Sequence, residues 1–293
     1  MLIEEAINTS SGQGVDITII KPKKGWQVID IKELIRYRDL FLFMTYRDIK
    51  VLYKQTILGF AWAILNPLFN MLVFGFLRIM SGAKFGPDNI PYLPFLYAGL
   101  IPWTFFSTSL NASSQSLINA SQVITKVYFP RLVVPFSAIM SKLVDFALSF
   151  AVLIILMFAY HITPNINLLY LPLLIVLMVL CASGIGLWFS ALAIQYRDIK
   201  YGLTFMITLI MFLTPVLWSA DKLAKLDEYG HIWKTLYGLY PMAGIEVGFR
   251  SCLLGYGEMP WEMLILGTIS SIIVFIGGAF YFQRMEKVFA DVA

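Results

Sequence analysis

The chain has 293 residues, of which 59% are hydrophobic and only 14% charged, with a formal net charge of +4. A soluble domain carries about a quarter charged residues, so an ordinary soluble protein is excluded. The net charge is modest, and its distribution matters more than its size; no nucleic-acid partner is expected. The two cysteines, Cys181 and Cys252, have neither metal-type spacing nor a disulfide framework.

Residues 1–30 are polar and lack the apolar stretch of a signal peptide. They read as a flexible tail, with Ser10-Ser11-Gly12-Gln13-Gly14 as a linker-like piece. Residues 31–56 have high helix propensity and mixed polarity. From Tyr46 onward, Ile49, Leu52 and Tyr53 fall on one face and Arg47, Lys50 and Lys54 on the other. This spacing predicts an amphipathic helix lying along the membrane surface with its apolar side in lipid. Arg47, Lys50 and Lys54 would attract an anionic headgroup, a diphosphate included. The plainer reading is a topology anchor.

Six apolar blocks follow, at about residues 57–79, 92–117, 132–160, 168–194, 203–218 and 263–282. Each approaches the roughly 20 residues that cross a bilayer core as a helix. A seventh piece, residues 236–254, is interrupted by Pro241, Gly244, Glu246, Gly248 and Arg250. Irregular backbone at membrane depth needs protein or water around it, so this piece is expected to be re-entrant or interfacial. The predicted class is an all-α integral membrane protein: six transmembrane helices, an N-terminal interfacial helix, and a re-entrant helical piece between spans five and six. The predicted segments are a tail (1–30), the interfacial helix (31–56), the six-span domain (57–283) and a second tail (284–293).

Lysine and arginine set the orientation. Residues 1–58, the loops after spans two and four, and the C-terminal tail hold fifteen of them; the opposite loops hold six. Both termini are therefore expected in the cytoplasm. Tyr46-Arg47-Asp48-Ile49-Lys50 recurs as Tyr196-Arg197-Asp198-Ile199-Lys200. Both copies fall on that side, as two elbows. The flanks differ, so a duplication is not supported.

Charges inside spans are rare and mark structure or function. Lys142 and Asp145 are three residues apart and share a helical face. A neutralised structural pair and a proton or substrate relay are the two readings. Glu246 and Arg250, four apart, are expected to pair as staples of an outer gate. The loop Lys126-Val127-Tyr128-Phe129-Pro130-Arg131 presents two aromatics rimmed by cations, the chemistry of a protein docking knob; the alternative is an ordinary positive loop. Trp62, Phe69, Trp103 and Phe106 are aromatics of the first two spans, and most aromatics in such a chain face lipid or the interfacial belts.

Several features carry a family resemblance. These are Tyr46 to Lys54, Gln55 to Pro67, Ala98-Gly99-Leu100-Ile101-Pro102-Trp103-Thr104-Phe105-Phe106-Ser107, the 126–131 loop, and Pro241-Met242-Ala243-Gly244-Ile245 with Glu246 and Phe249-Arg250 behind it. Together they resemble the permeases of type-2 ABC exporters for polysaccharides: Wzm-like O-antigen permeases and the teichoic-acid and capsule permeases. One departure is Tyr240, where that family commonly has Asn. The resemblance implies a homodimer in the bacterial inner membrane with two copies of a separate ATPase beneath it. It implies that the 126–131 loop is the coupling element, with Arg197 and Asp198 as a lesser contact. It implies that spans one and two build the translocation wall for a lipid-linked polysaccharide, which makes Trp62, Phe69, Trp103 and Phe106 candidates for lining the path by stacking on the C–H faces of sugar rings.

The sequence has no G-x-x-x-x-G-K-[ST], no H-E-x-x-H and no G-x-S-x-G. No cofactor or metal is expected on this chain; ATP and Mg would sit on the partner subunit. A membrane-embedded transferase would need clustered acids or a placed histidine, but Asp88, Asp221, Asp227 and Glu228 are scattered and His161 and His231 stand alone. A passive channel or scaffold is the remaining class, and it would make the 126–131 loop dispensable.

Overall fold

A computed structural model of the chain describes residues 35–54, 58–82, 90–124, 126–219 and 231–286. The expected tail 1–30 lies outside these residues, as do residues 287–293 of the second tail. The described residues all fall in the unit Ile31–Ala293. They are helical, with no strand among them.

The first helix, α1 (Arg38–Lys54), packs along α5 (Val133–Ala159). Met44 is its buried anchor. Phe41, Asp48, Ile49 and Tyr53 are partly covered, while Leu42, Phe43, Tyr46, Val51 and Leu52 stay exposed. Leu52 therefore does not share the sheltered face with Ile49 and Tyr53. At the end of α1 the Tyr53 ring stacks on Phe60, with centroids 3.9 Å apart, which sets the elbow into α2 (Ala61–Ser81).

Helix α2 carries Pro67 in its interior. Proline has no N–H, so it orphans the carbonyl four residues back, that of Ala63. Ser149 of α5 donates its hydroxyl to that carbonyl at 2.9 Å. An unsatisfied carbonyl costs several kcal/mol in a bilayer core; here a neighbouring span supplies the donor.

Helix α3 (Tyr92–Asn119) is the centre of the bundle. It touches α2, α5, α6 (Leu171–Gln195), α7 (Ile199–Leu213) and α9 (Pro241–Leu254). Two short pieces, α4 (Ser121–Ile124) and the 3-10 turn Ile166–Tyr170, join longer helices, and α8 (His231–Gly238) leads into α9. The last helix, α10 (Trp261–Glu286), packs on α6. The two approach so closely that a Cβ on Gly278 would lie 2.6 Å from the Gly184 carbonyl. Trp188 and Tyr281 stack beside that contact with centroids 4.7 Å apart.

Among the described residues, four helical stretches are long and apolar enough to cross a membrane: Ala61–Ser81, Val133–Ala159, Ile166–Gln195 and Trp261–Glu286. The protein is thus multi-pass. The other two expected spans differ for physical reasons. Helix α3 has 28 residues, but its second half is rich in Ser, Thr, Asn and Gln. Helix α7 has 15 residues, about 22 Å at 1.5 Å per residue, shorter than a bilayer core of about 30 Å. The expected span 203–218 is helical only to Leu213 and continues as a turn through Thr214, Pro215 and Val216.

The expected re-entrant piece is two helices, α8 and α9, and every residue of α9 from Met242 to Leu254 is buried. Helix α9 lies against α3, α6, α8 and α10, so its charged and glycine positions meet protein on all sides.

Candidate functional site

Most of α3 is buried, and its partly open positions form one stripe. From Pro94 to Trp103 every residue is buried. Beyond that, Thr104, Ser107, Thr108, Asn111, Ala112 and Gln115 are only partly covered. Spacings of three and four place them on one helical face, and five of the six are polar. Thr108 donates to the Thr104 carbonyl at 2.7 Å, Asn111 to Ser107 at 3.0 Å and Gln115 to Asn111 at 3.4 Å. Folding back onto the helix satisfies their donors while leaving acceptor lone pairs outward. Across the stripe, Thr204 of α7 donates to Asn111 Oδ1 at 3.4 Å. A lipid-facing helix would carry apolar side chains on its open face. This one keeps them inside and opens its polar face.

The candidate path aromatics separate into two groups. Trp62 and Phe69 on α2 are 52% and 55% exposed. Trp103 and Phe106 are 4% and 3% exposed and pack on each other, centroids 5.6 Å apart. Their positions fall on the buried face of α3, between the stripe residues, so they support the bundle from inside this chain.

The two copies of the pentapeptide fold differently. The first lies inside α1 and does not end it. There Arg47 pairs with Asp48 at 2.8 Å, and Asp48 accepts from Ser137 of α5 at 3.3 Å. Lys50 sits 5.5 Å from the Tyr46 ring centroid. Lys50 and Lys54 are exposed and, with Arg47, Phe43, Tyr46 and Val51, border a groove of about 380 Å³. The second copy breaks a helix: Tyr196 is extended after α6, and Arg197 and Asp198 form an exposed turn before α7.

The 126–131 loop is only partly the knob expected. Lys126, Val127 and Tyr128 are exposed, the last two at 59% and 57%. Phe129 is buried at 4%, which corrects its reading as an exposed aromatic. Pro130 and Arg131 are half-buried, and the Arg131 guanidinium donates to the Glu286 carbonyl at the end of α10. The loop thus has a three-residue tip, an aromatic root and an arginine tie to the last helix.

Lys142 and Asp145 pair at 3.4 Å within α5. Glu246 and Arg250 make no such ion pair, a second correction. The Arg250 side chain instead donates to the carbonyls of Phe95, Pro215, Val216 and Trp218 and lies 3.8 Å from the Phe95 ring centroid. The turn after α7 leaves the carbonyls of Pro215, Val216 and Trp218 without helical partners, and a fork of N–H donors answers several at once. Both Glu246 oxygens are buried without a hydrogen-bond partner among the described residues. Tyr240 and Tyr237 help to hold the same turn: Tyr240 meets the Thr214 hydroxyl at 2.9 Å and Tyr237 donates to the Leu213 carbonyl at 2.7 Å.

The sequence profile of the family described as ABC-2 type transporter matches residues 39–254. The chain belongs to that family. The O-antigen export system permease protein RfbA of Klebsiella pneumoniae is 28% identical over 255 residues, covering 87% of this chain and 95% of that protein. The protein of the same name from Myxococcus xanthus is 27% identical over 259 residues, covering 88% and 96%. The polysialic acid transport protein KpsM of Escherichia coli is 26% identical over 246 residues, covering 82% and 91%.

In this ABC-2 type transporter the matched stretch begins in α1 and ends with the last residue of α9. It therefore contains the polar stripe, the 126–131 loop and the arginine clasp. The clasp and the Ala98-Gly99 segment are one feature. A Cβ on Gly99 would lie 2.5 Å from an Arg250 nitrogen, so glycine there leaves room for the guanidinium. Sequence reading found both stretches but not their contact, because nothing local in the chain signals it. The stripe was legible as Thr104, Thr108, Asn111 and Gln115 at helical spacing, but an apolar-block reading passes over it.

Proposed function

We propose that this chain is the permease subunit of an ABC exporter that moves a lipid-linked polysaccharide, such as an O-antigen, out across the bacterial inner membrane. It acts as a homodimer with two copies of a separate ATPase, which hold the ATP and Mg, and both termini are cytoplasmic. The observation that carries this reading is the polar stripe on the open face of α3. A hydroxyl- and amide-lined face in an otherwise apolar bundle is what a polymer of hydroxylated rings needs at membrane depth. The RfbA relatives, matched along nearly their whole length, support the cargo class. The relatives named for polysialic acid transport favour, as a second reading, a capsule-type polymer on the same path.

The exposed tip Lys126, Val127 and Tyr128 is the docking knob for the ATPase, and the turn at Arg197 and Asp198 is a lesser contact. Helix α1 lies along the cytoplasmic surface, where Arg47, Lys50 and Lys54 meet an anionic headgroup. Trp62 and Phe69, both on the uncovered side of α2, contribute stacking surfaces to the wall; Trp103 and Phe106 hold α3 in place behind it. Lys142 with Asp145, and Glu246 near Arg250, stabilise the spans.

The test is to replace Ser107 and Asn111 together by leucine. Export of surface polysaccharide is expected to fail while the protein still inserts and still co-purifies with the ATPase. Undiminished export in that variant would remove α3 from the path.

A further inference from the structure

A cavity of about 190 Å³ lies between the end of α1, the first turns of α2, and the middles of α3 and α5. That is many times the volume a single water needs. Its wall includes Trp62, Asn66, Thr104, Thr108, Lys142 and Asp145. Lys142 spends one donor on Asp145 Oδ2, and an ammonium has three. Asp145 Oδ1 is buried with no partner among the described residues. Asn66 accepts from Asn70 at 3.3 Å, which leaves its amide N–H groups for something else. The half-exposed Trp62 indole adds a flat apolar surface.

The charges around the cavity cancel. Lys142 faces Asp145 within it and Asp48 electrostatically from α1, and Asp48 is itself paired with Arg47. A free phosphate or a free ammonium gains little from such a site. A neutral ring with several hydroxyls gains much: it donates to the orphaned carboxylate oxygen, accepts from the ammonium and the amide, and lays its C–H face on the indole. Thr104 and Thr108 belong both to this wall and to the open stripe, so the cavity is a side pocket of the stripe.

We infer that this cavity is a subsite for a single neutral sugar ring, held by Asp145, Lys142 and Asn66 against Trp62. The inference rests on the polysaccharide reading above and gives it a place where one residue of the polymer pauses beside the path.

The test uses the complete permease–ATPase complex in nanodiscs, with Ala63, another wall residue, replaced by cysteine. The two cysteines of this chain are buried, so maleimide on the permease band, separated from the ATPase by electrophoresis, reports on position 63. Methyl glycosides of glucose, galactose, mannose and rhamnose are the probes. At least one of them should slow labelling several-fold, and in Asp145→Asn the ratio of that variant's own rates with and without glycoside should return to one. If Asp145→Asn does not assemble, Thr108→Val, which keeps the side-chain shape, should weaken the protection instead. Unprotected labelling at saturating glycoside would overturn the inference. So would equal protection by glycerophosphoethanolamine, which would assign the cavity to a lipid headgroup. Complementation of a deletion strain separates the two layers. Restored surface polysaccharide with unprotected labelling removes only the sugar subsite. Surface polysaccharide that never depended on the gene removes the cargo reading and the subsite with it.

Discussion

Arg250 is a fully buried guanidinium whose partners are backbone carbonyls. Its removal leaves the buried carbonyls of the Pro215–Trp218 turn without the guanidinium donors. Arg250→Met is therefore expected to destabilise the protein by roughly 3–5 kcal/mol, the cost of breaking a buried charged network. Glu246→Gln keeps the shape of a side chain that makes no hydrogen bond and should show the smaller loss of the two. Thermal unfolding of the purified variants checks that order; an equal or larger loss for Glu246→Gln would restore the ion pair. Ser149→Ala orphans the Ala63 carbonyl beside Pro67 and should cost about 1–3 kcal/mol in the same assay. The sequence showed the intramembrane charges and the prolines but not these partners. Arginine four residues from glutamate is a pairing signal in any helix, whereas the carbonyls that outcompete it come from a turn more than thirty residues away and from α3.

Helices α6 and α10 meet at Gly184 and Gly278 with almost no space between backbones. Small residues at such a crossing let membrane helices approach. Gly278→Leu should separate them and cost about 1–3 kcal/mol or more by overpacking, seen as reduced folded yield and a lower melting temperature. On the exporter reading proposed above, the tip of the 126–131 loop docks the ATPase and Arg131 ties its root to α10. Tyr128→Ala removes an exposed aromatic and is expected to weaken ATPase co-purification, by about tenfold if Tyr128 is a hot spot. Arg131→Ala should leave co-purification intact and lower export per ATP hydrolysed, because Arg131 ties the loop to the end of α10. Loss of ATPase binding in Arg131→Ala would instead make it a docking residue. The apolar blocks were legible as elements because composition and length decide a span. Helix α7 was read too long because its apolar run outlasts its helix: Thr214-Pro215 ends the helix but not the hydrophobicity.

Among the described residues, two of the apolar helices are sparsely covered. Helix α2 buries only Pro67, Met71 and Gly75, and α7 only Leu203 and Ile207. Their open faces are mostly apolar; the polar exceptions include Asn66 on α2 and Lys200, Thr204 and Thr208 on α7, and Thr204 reaches Asn111 of the stripe. A second copy set against these faces would enclose the polar stripes of both chains, which lipid would leave in contact with hydrocarbon. Native mass measurement of the purified complex should accordingly give two permease chains for two ATPases; a stable one-to-one complex active in export would contradict the dimer. The central measurement is made in cells. The gene is deleted, and the surface polysaccharide and the lipid-linked polymer inside the cell are quantified, with and without the wild-type gene restored. Loss of the surface polymer, its accumulation inside on the lipid carrier, and recovery of both on complementation is the predicted result. Surface polysaccharide unchanged by the deletion would contradict it.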